Sequence, residues 1–309
     1  LWERYDEFVD ESHQEGIMRR LLRAVLNKQQ KTDLFVLREL WVERVASLFG
    51  WFLNLLPCWL KVFLKSRIQI RRRMDYGRMS VYIDVSSPME NRVRTHSCAK
   101  EPETVDWSEK MFCPGDVLWD IGANVGAYSL VAAKFHQGKV KVYAVEPSFL
   151  NFPQLCRNIA INGCGGIITP LNVALSSKTA IGKFNYQNWI IGGALHAFGE
   201  AVDHKNEVFL PVFQQDMMSF SMDDLVNIFL LRAPDHIKLD VDGLEPEIIK
   251  GAQRLLTDKK KVRSILVEIA EKDKPLVDHL YSLGFQISEK HAQGHGDSNL
   301  FNYIFTRKT

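Results

Sequence analysis

Three acids, Asp120, Glu146 and Asp240, each end a short apolar run. After the first, Gly122, Asn124 and Gly126 alternate with small or apolar residues, and helical spacing resumes at Ala127. A strand that turns through glycines into a helix brings backbone N–H groups against a ligand with no Cβ in the way. That is the nucleotide-binding half of a Rossmann-like unit. A dinucleotide fingerprint reads G-x-G-x-x-G, which this turn does not. It carries Asp120 ahead of the first glycine instead. An acid at that strand end repels a pyrophosphate and suits a cationic cofactor bearing an amino acid.

S-adenosylmethionine (SAM) is such a cofactor. Asp120 would then position it through backbone and amino contacts, above the turn shaped by Gly122, Asn124 and Gly126. Glu146 closes the second strand and can accept both ribose hydroxyl protons. A third strand over residues 167–175 ends at Asn172 and Ala174, whose backbone groups lie where an adenine would be read. A nicotinamide or flavin site, or a plain strand-helix-strand unit with capping acids, is the competing reading.

The segment 236–251 forms a second dense cluster, in which Asp240 ends a buried strand and Asp242, Gly243 and Glu245 follow at once. Glu268 is a fourth acid at a strand end. Parallel strands put all their carboxyl ends on one edge of a sheet, where ligands bind. Asp240 has three open roles: contact with the SAM amino group, general base, or, with Asp242 or Glu268, holder of a divalent cation. His196 is the second candidate base, since an unperturbed imidazole titrates near neutrality. It sits in a glycine-rich stretch, 191–200, that would serve as a lid or substrate loop. His291 and His295 have the spacing of helical metal ligands, but Gly294 and Gly296 oppose a helix, so no metal site is assigned.

The elements that must position these residues can be read from periodicity. Residues 1–66 form an N-terminal helical region and 67–309 a catalytic-type domain. That domain opens with a β-hairpin over 68–85 and has its α/β core from about 115. Helix follows at 149–162, strands at 181–186 and 208–213, a helix start at Asp223, a strand at 262–269, helix at 274–283 and a closing strand pair. Residues 45–60 carry no charge but are short for a membrane span and contain Asn54 and Pro57. They read as a surface packing on the core or on a second subunit, giving a homo-oligomer. Contact with a membrane surface is the alternative, supported by flanking arginines.

Composition narrows the class. The 309 residues are 46% hydrophobic, enough for a large core with an appendage. Lys and Arg number 39 against 37 acids, so there is no global signal for nucleic acid. Cys58, Cys98, Cys113, Cys156 and Cys164 form no C-x-x-C pair, which suits a reducing compartment. The start is acidic rather than basic then apolar, and the expected location is cytoplasmic.

Taken together, D-I-G-A-N-V-G at 120–126, E-P at 146–147, N-V-A-L at 172–175 and I-K-L-D-V-D-G-L-E at 237–245 resemble the FkbM-type family of SAM-dependent methyltransferases. The resemblance covers about residues 68–307. Asp242 stands where many members carry Glu, a shorter acid that moves the charge back. The resemblance implies a Rossmann-like class I methyltransferase fold, a mostly parallel seven-stranded sheet with one antiparallel strand near the end. It also implies O-methylation of a sugar, glycan or polyketide-like acceptor. N-methylation on the same fold, or a non-catalytic SAM-binding module acting through partners, is the alternative.

Overall fold

The computed structural model describes residues 28–202, 207–270, 273–292 and 300–307. Sequence features at 1–27, and His295, lie outside the described residues. The chain divides into two compact units, Leu1–Gln69 and Ile70–Thr309. In the first, the helices Lys28–Asn54 and Cys58–Arg67 are separated by Pro57, which cannot continue a hydrogen-bonded turn. No described helix is long and apolar enough to cross a membrane.

The second unit begins with β1 (Arg71–Arg73) and β2 (Tyr82–Asp84), which pair antiparallel. Its main sheet contains β3 (Val117–Ile121), β4 (Lys141–Val145) and β5 (Ile168–Leu171). A smaller sheet takes β6 (Ala174–Leu175), β7 (Ala180–Tyr186), β8 (Ala197–Phe198) and β9 (Phe213–Phe220). The main sheet resumes with β10 (His236–Leu239), β11 (Ser264–Ala270), β12 (Phe285–Ala292) and β13 (Leu300–Arg307). Its order is β5-β4-β3-β10-β11-β13-β12, and the small sheet's order is β6-β9-β7-β8. Every neighbour pair from β5 to β11 is parallel, while β13 runs antiparallel to both β11 and β12. This is the class I methyltransferase arrangement, a mostly parallel seven-stranded Rossmann-like sheet.

Period-two alternation covers both faces of that sheet. Trp119, Ile121, Ile237, Leu239, Ile265 and Val267 join one core with Ile248, Leu256 and Leu280 from the helices outside them. Leu118, Val142, Ala144 and Leu266 join the other, with Trp107, Leu130 and Leu155. Asp120 and Lys238 have the parity of this second face, so two ionisable side chains lie in a buried layer.

Two expected strands are redrawn. The run 167–175 is not one strand: Leu171 ends β5, and after Asn172 and Val173 the chain enters the small sheet as β6. The strand expected at 208–213 gives way to β9 at Phe213–Phe220, with Val208 making only an isolated bridge to Val202. Val208, Leu210 and Val212 alternate correctly but are 83, 92 and 59% exposed, whereas Met217 and Ser219 in β9 are buried. Alternation alone does not say which apolar run finds a partner.

The chain reverses its winding between β3 and β10, and there the two backbones approach closely. A Cβ on Gly122 would stand 1.8 Å from the Asp240 carbonyl oxygen, and the residue holds φ +81°. Gly126, at φ +89°, would drive a Cβ to 2.5 Å from Leu155 Cδ1. Gly122→Ala therefore combines left-handed strain with a backbone clash and is expected to cost about 3 kcal/mol or more. Thermal unfolding followed by circular dichroism checks this: a melting temperature unchanged from wild type would show that the two strand ends can part.

Candidate functional site

Strand register puts the acids on one level. Leu239 pairs with Ile121 and Val267, and Ile121 pairs with Val145. The next residue on each strand is Asp240, Gly122, Glu268 and Glu146. The carboxyl edge of the central sheet thus carries three acids around one glycine.

The glycine turn is held from Glu146. Its Oε2 accepts the Asn124 N–H at 2.8 Å and its Oε1 accepts the Ser148 N–H at 2.9 Å. Burial pushes its carboxyl up to about 7, against the lowering effect of those two N–H groups. Asn124 sits at φ 51°, a left-handed position that Asn tolerates. Its amide Nδ2 donates to Gly193 O at 2.8 Å. Asp120 Oδ2 accepts from Ser129 Oγ at 2.6 Å, and burial raises this carboxyl above the usual range. Among the described residues, Asp120 Oδ1, Asn124 Oδ1 and His196 Nε2 are buried without a hydrogen-bond partner.

At Asp240 the electrostatics reverse. Burial would raise its pKa, but Lys238 Nζ lies 2.8 Å from Oδ2, and with Lys100 nearby it holds the carboxyl below the usual range. Lys238 is 1% exposed and is kept charged by Asp240, Glu101 and Asp120 against its burial. Glu101, buried, accepts from Lys100 Nζ at 2.6 Å, and Lys100 and Lys238 together depress it despite burial. Tyr128 lies beneath Lys238, whose Nζ is 5.0 Å from the ring centroid. Glu268 goes the other way: burial, then Asp240, Glu101 and Asp242, raise it well above the carboxylate range.

The glycine-rich stretch is a clamped strap. Ser87 Oγ donates to Ile191 O at 2.7 Å, Arg94 donates twice to Gly192 O, and Asn151 Nδ2 donates to Gly193 O at 3.1 Å. Leu195 N donates to Asp242 Oδ2 at 2.7 Å. His196 is 9% exposed, and burial lowers it to about 4, so its imidazole is neutral at pH 7. Its Nδ1 accepts the Gln187 N–H over a long 3.4 Å. In that tautomer Nε2 carries the proton, and a base role requires the Gln187 contact to be released.

Of the other predicted residues, Asn172 is exposed, and its amide donates to the carbonyls of Glu146 and Pro147 at 2.9 and 3.0 Å. Ala174 is buried in β6, paired with Ser219. His291 is within 2.8 Å of Glu289, and no described group of His, Cys, Asp or Glu has the makings of a metal site.

Residues 120–287 match the family model described as the methyltransferase FkbM domain, which is more than half of the chain. The chain belongs to the FkbM methyltransferase family. Membership places it among SAM-dependent methyltransferases, and the matched stretch contains every acid of the strand edge. It is 28% identical over 154 residues to the hexuronic acid methyltransferase AglP of Haloferax volcanii, covering 50% of this chain and 56% of AglP. It is 26% identical over 212 residues to the methyltransferase sdnD of Sordaria araneosa, covering 61% of this chain and 80% of sdnD. The AglP match spans little more than half of that protein's length. Among solved structures, the precorrin-6y C5,15-methyltransferase of Geobacter metallireducens aligns with a TM-score of 0.39 at 13% identity, over 68% of this chain and 87% of that one. At that level the strand order given above carries the fold.

Sequence reasoning did not single out Lys238, Glu101, Lys100 or Arg94 at this FkbM site. One signal was present: a lysine between two apolar residues of a strand expected to be buried on both faces needs a partner. The others come from segment 86–101, which is polar and without period. A second polar constellation, Ser264–His236–Asp116, has hydroxyl–imidazole and imidazole–carboxylate distances of 2.7 and 3.0 Å. It lies at the amino ends of the strands with Ser264 and His236 buried, and Arg263 also pairs with Asp116. Ser264 Oγ, buried, also accepts from Trp107 Nε1 at 2.9 Å, so the network reads as a structural tie between strands.

A pH prediction follows from Glu146. Its folded pKa is raised from 4.5 to about 7. The stability it contributes is complete below its unfolded value and is lost as pH rises toward about 7. Glu146→Gln should remove that decline, worth about 2 kcal/mol between pH ~5 and ~7. Urea unfolding of ligand-free protein across this range measures the slope, whatever constant offset the amide introduces. Equal slopes for wild type and variant would show that Glu146 titrates normally.

Proposed function

We propose that this FkbM domain transfers the methyl group of SAM to a hydroxyl of a sugar, glycan or polyketide-like acceptor. The observation that carries the cofactor half is the pair of buried acceptors, Asp120 Oδ1 and Asn124 Oδ1, beside the glycine turn. A buried acceptor without a donor costs about 1–3 kcal/mol. A ligand bearing an ammonium group and hydroxyls supplies such donors. Glu146 spends one lone pair of each oxygen on the turn, which leaves acceptor capacity for ribose hydroxyls. The residues present therefore fit SAM. In this reading Asn172 holds the Glu146–Pro147 backbone in place, and the backbone around Asn172 and Ala174 borders the adenine.

SAM supplies a methyl already activated on a sulfonium, so position and a path for one proton are what the chain must add. Asp240, kept ionised by Lys238, suits contact with a cationic group better than proton uptake. His196, neutral at pH 7, is the group suited to receive the hydroxyl proton once freed from Gln187, whereas Glu268 is pushed toward the protonated form. His196 stands beside Tyr186 at 5.0 Å between ring centroids, in a cluster with Phe149, Trp189 and Phe213. Trp189 and Phe213 are 58 and 42% exposed, and exposed aromatic faces suit the apolar face of a sugar ring. The hexuronic acid named for AglP supports a sugar acceptor.

Calorimetric titration with SAM and separately with NAD tests the cofactor, SAM alone being expected to bind. Glu146→Ala should raise the SAM Kd by roughly 10- to 100-fold, the loss of hydrogen bonds to a charged group. Unchanged affinity would remove the ribose role. His196→Ala should lower kcat on hexuronic acid glycosides with SAM affinity unchanged, and wild-type turnover would remove it from the proton path.

A further inference from the structure

The helix Cys58–Arg67 has no buried residue. Trp59, Val62 and Phe63 are 71, 68 and 52% exposed. At 100° per residue they fall within about one third of the helix circumference, while Lys61 and Lys65 fall on the opposite side. The preceding helix also ends in exposed apolar residues, with Phe49, Trp51 and Phe52 all more than half exposed. Large apolar side chains exposed on one helix face mark a contact site rather than a solvated face.

Charge selects the occupant. From residue 45 to residue 69 the sequence contains no Asp or Glu, yet it contains Lys61, Lys65 and Arg67. A second copy of the chain, docking through the same patch by two-fold symmetry, would set these cations against themselves. A surface of anionic lipid headgroups over an acyl boundary matches both halves of the pattern. Tryptophan and phenylalanine favour the headgroup level, and each nearby Lys or Arg adds electrostatic attraction. Neither described helix is long and apolar enough to span, so the segment would lie along the surface.

We propose that Cys58–Arg67, with the end of the preceding helix, docks the protein on an anionic bilayer surface. Trp59, Val62 and Phe63 enter the headgroup–acyl boundary, and Lys61, Lys65 and Arg67 face the headgroups. This assignment is independent of the methyl-transfer reading.

Co-sedimentation of the full chain tests it, using vesicles of phosphatidylcholine alone and of phosphatidylcholine mixed with phosphatidylserine. The wild type is expected to bind the anionic vesicles at least roughly 10-fold more strongly, with loss of binding at high salt. Two variants, Lys61→Glu/Lys65→Glu/Arg67→Glu and Trp59→Ser/Phe63→Ser, should each lose that binding while unfolding at the wild-type temperature. Equal binding to both vesicle types, or wild-type protein left in the supernatant, overturns the proposal. So does a dimer, seen by light scattering and abolished by Trp59→Ser/Phe63→Ser, that forms in place of vesicle binding. Binding retained by either folded variant also overturns it.

Discussion

Lys238 is a cation in the middle of a parallel sheet, and the carboxyl edge depends on it. A fully buried ammonium is tolerated only when paired, and Asp240 at 2.8 Å provides the pair. The same charge acts on Glu101 and Asp120. Pairing with lysine and burial together separate the acids of this edge into two kinds. Asp240 and Glu101 are held ionised, while Asp120 and Glu268 are pushed toward the protonated form. The Lys238 ammonium is buried while the Asp240 carboxylate is 29% exposed, so removing Asp240 leaves the lysine charge alone, at a cost of up to about 3–5 kcal/mol. The edge is thus preorganised electrostatically before any ligand arrives.

That arrangement needs the backbone to be tight as well as charged. Gly122 lets β3 and β10 end against each other, and Glu146 holds the turn through two N–H groups. The strap 191–195 then ties Arg94, Asn124, Asn151 and Asp242 together through its own backbone. The residues assigned to the cofactor and the aromatic cluster assigned to the acceptor are therefore joined by short hydrogen bonds rather than by a loose flap. His196 follows this strap and packs against Phe184 and Tyr186, and its burial lowers its pKa.

Much of this was legible in the chain itself. The glycine spacing, the acid at each strand end and the closing pair of strands follow from short-range patterns, while the antiparallel sense of the closing strand was implied by the family resemblance. What was not legible is what depends on distant pairing. The split of the third strand after Leu171 is decided by Ser219 and Phe220, far along the chain, which pair with Ala174 and Leu175. The displacement of one strand to Phe213–Phe220 is decided by β7, whose register spans Ala180 to Tyr186. Glu101 and Arg94 come from a segment with no periodicity. Only the position of Lys238, charged within a buried strand, advertised that a partner had to exist.

The outer strands of the main sheet carry a further consequence. β5 contains Pro170, opposite Ala144, and so lacks one ladder donor. β12 has a register shift between Ile287 and Glu289, followed by exposed Glu289 and Lys290. A missing donor and a kinked, charged margin both make a strand a poor template for another chain. Each lateral border of the sheet is thereby guarded against runaway strand addition. The catalytic-type domain can reach a high local concentration without extending its sheet into a neighbour's.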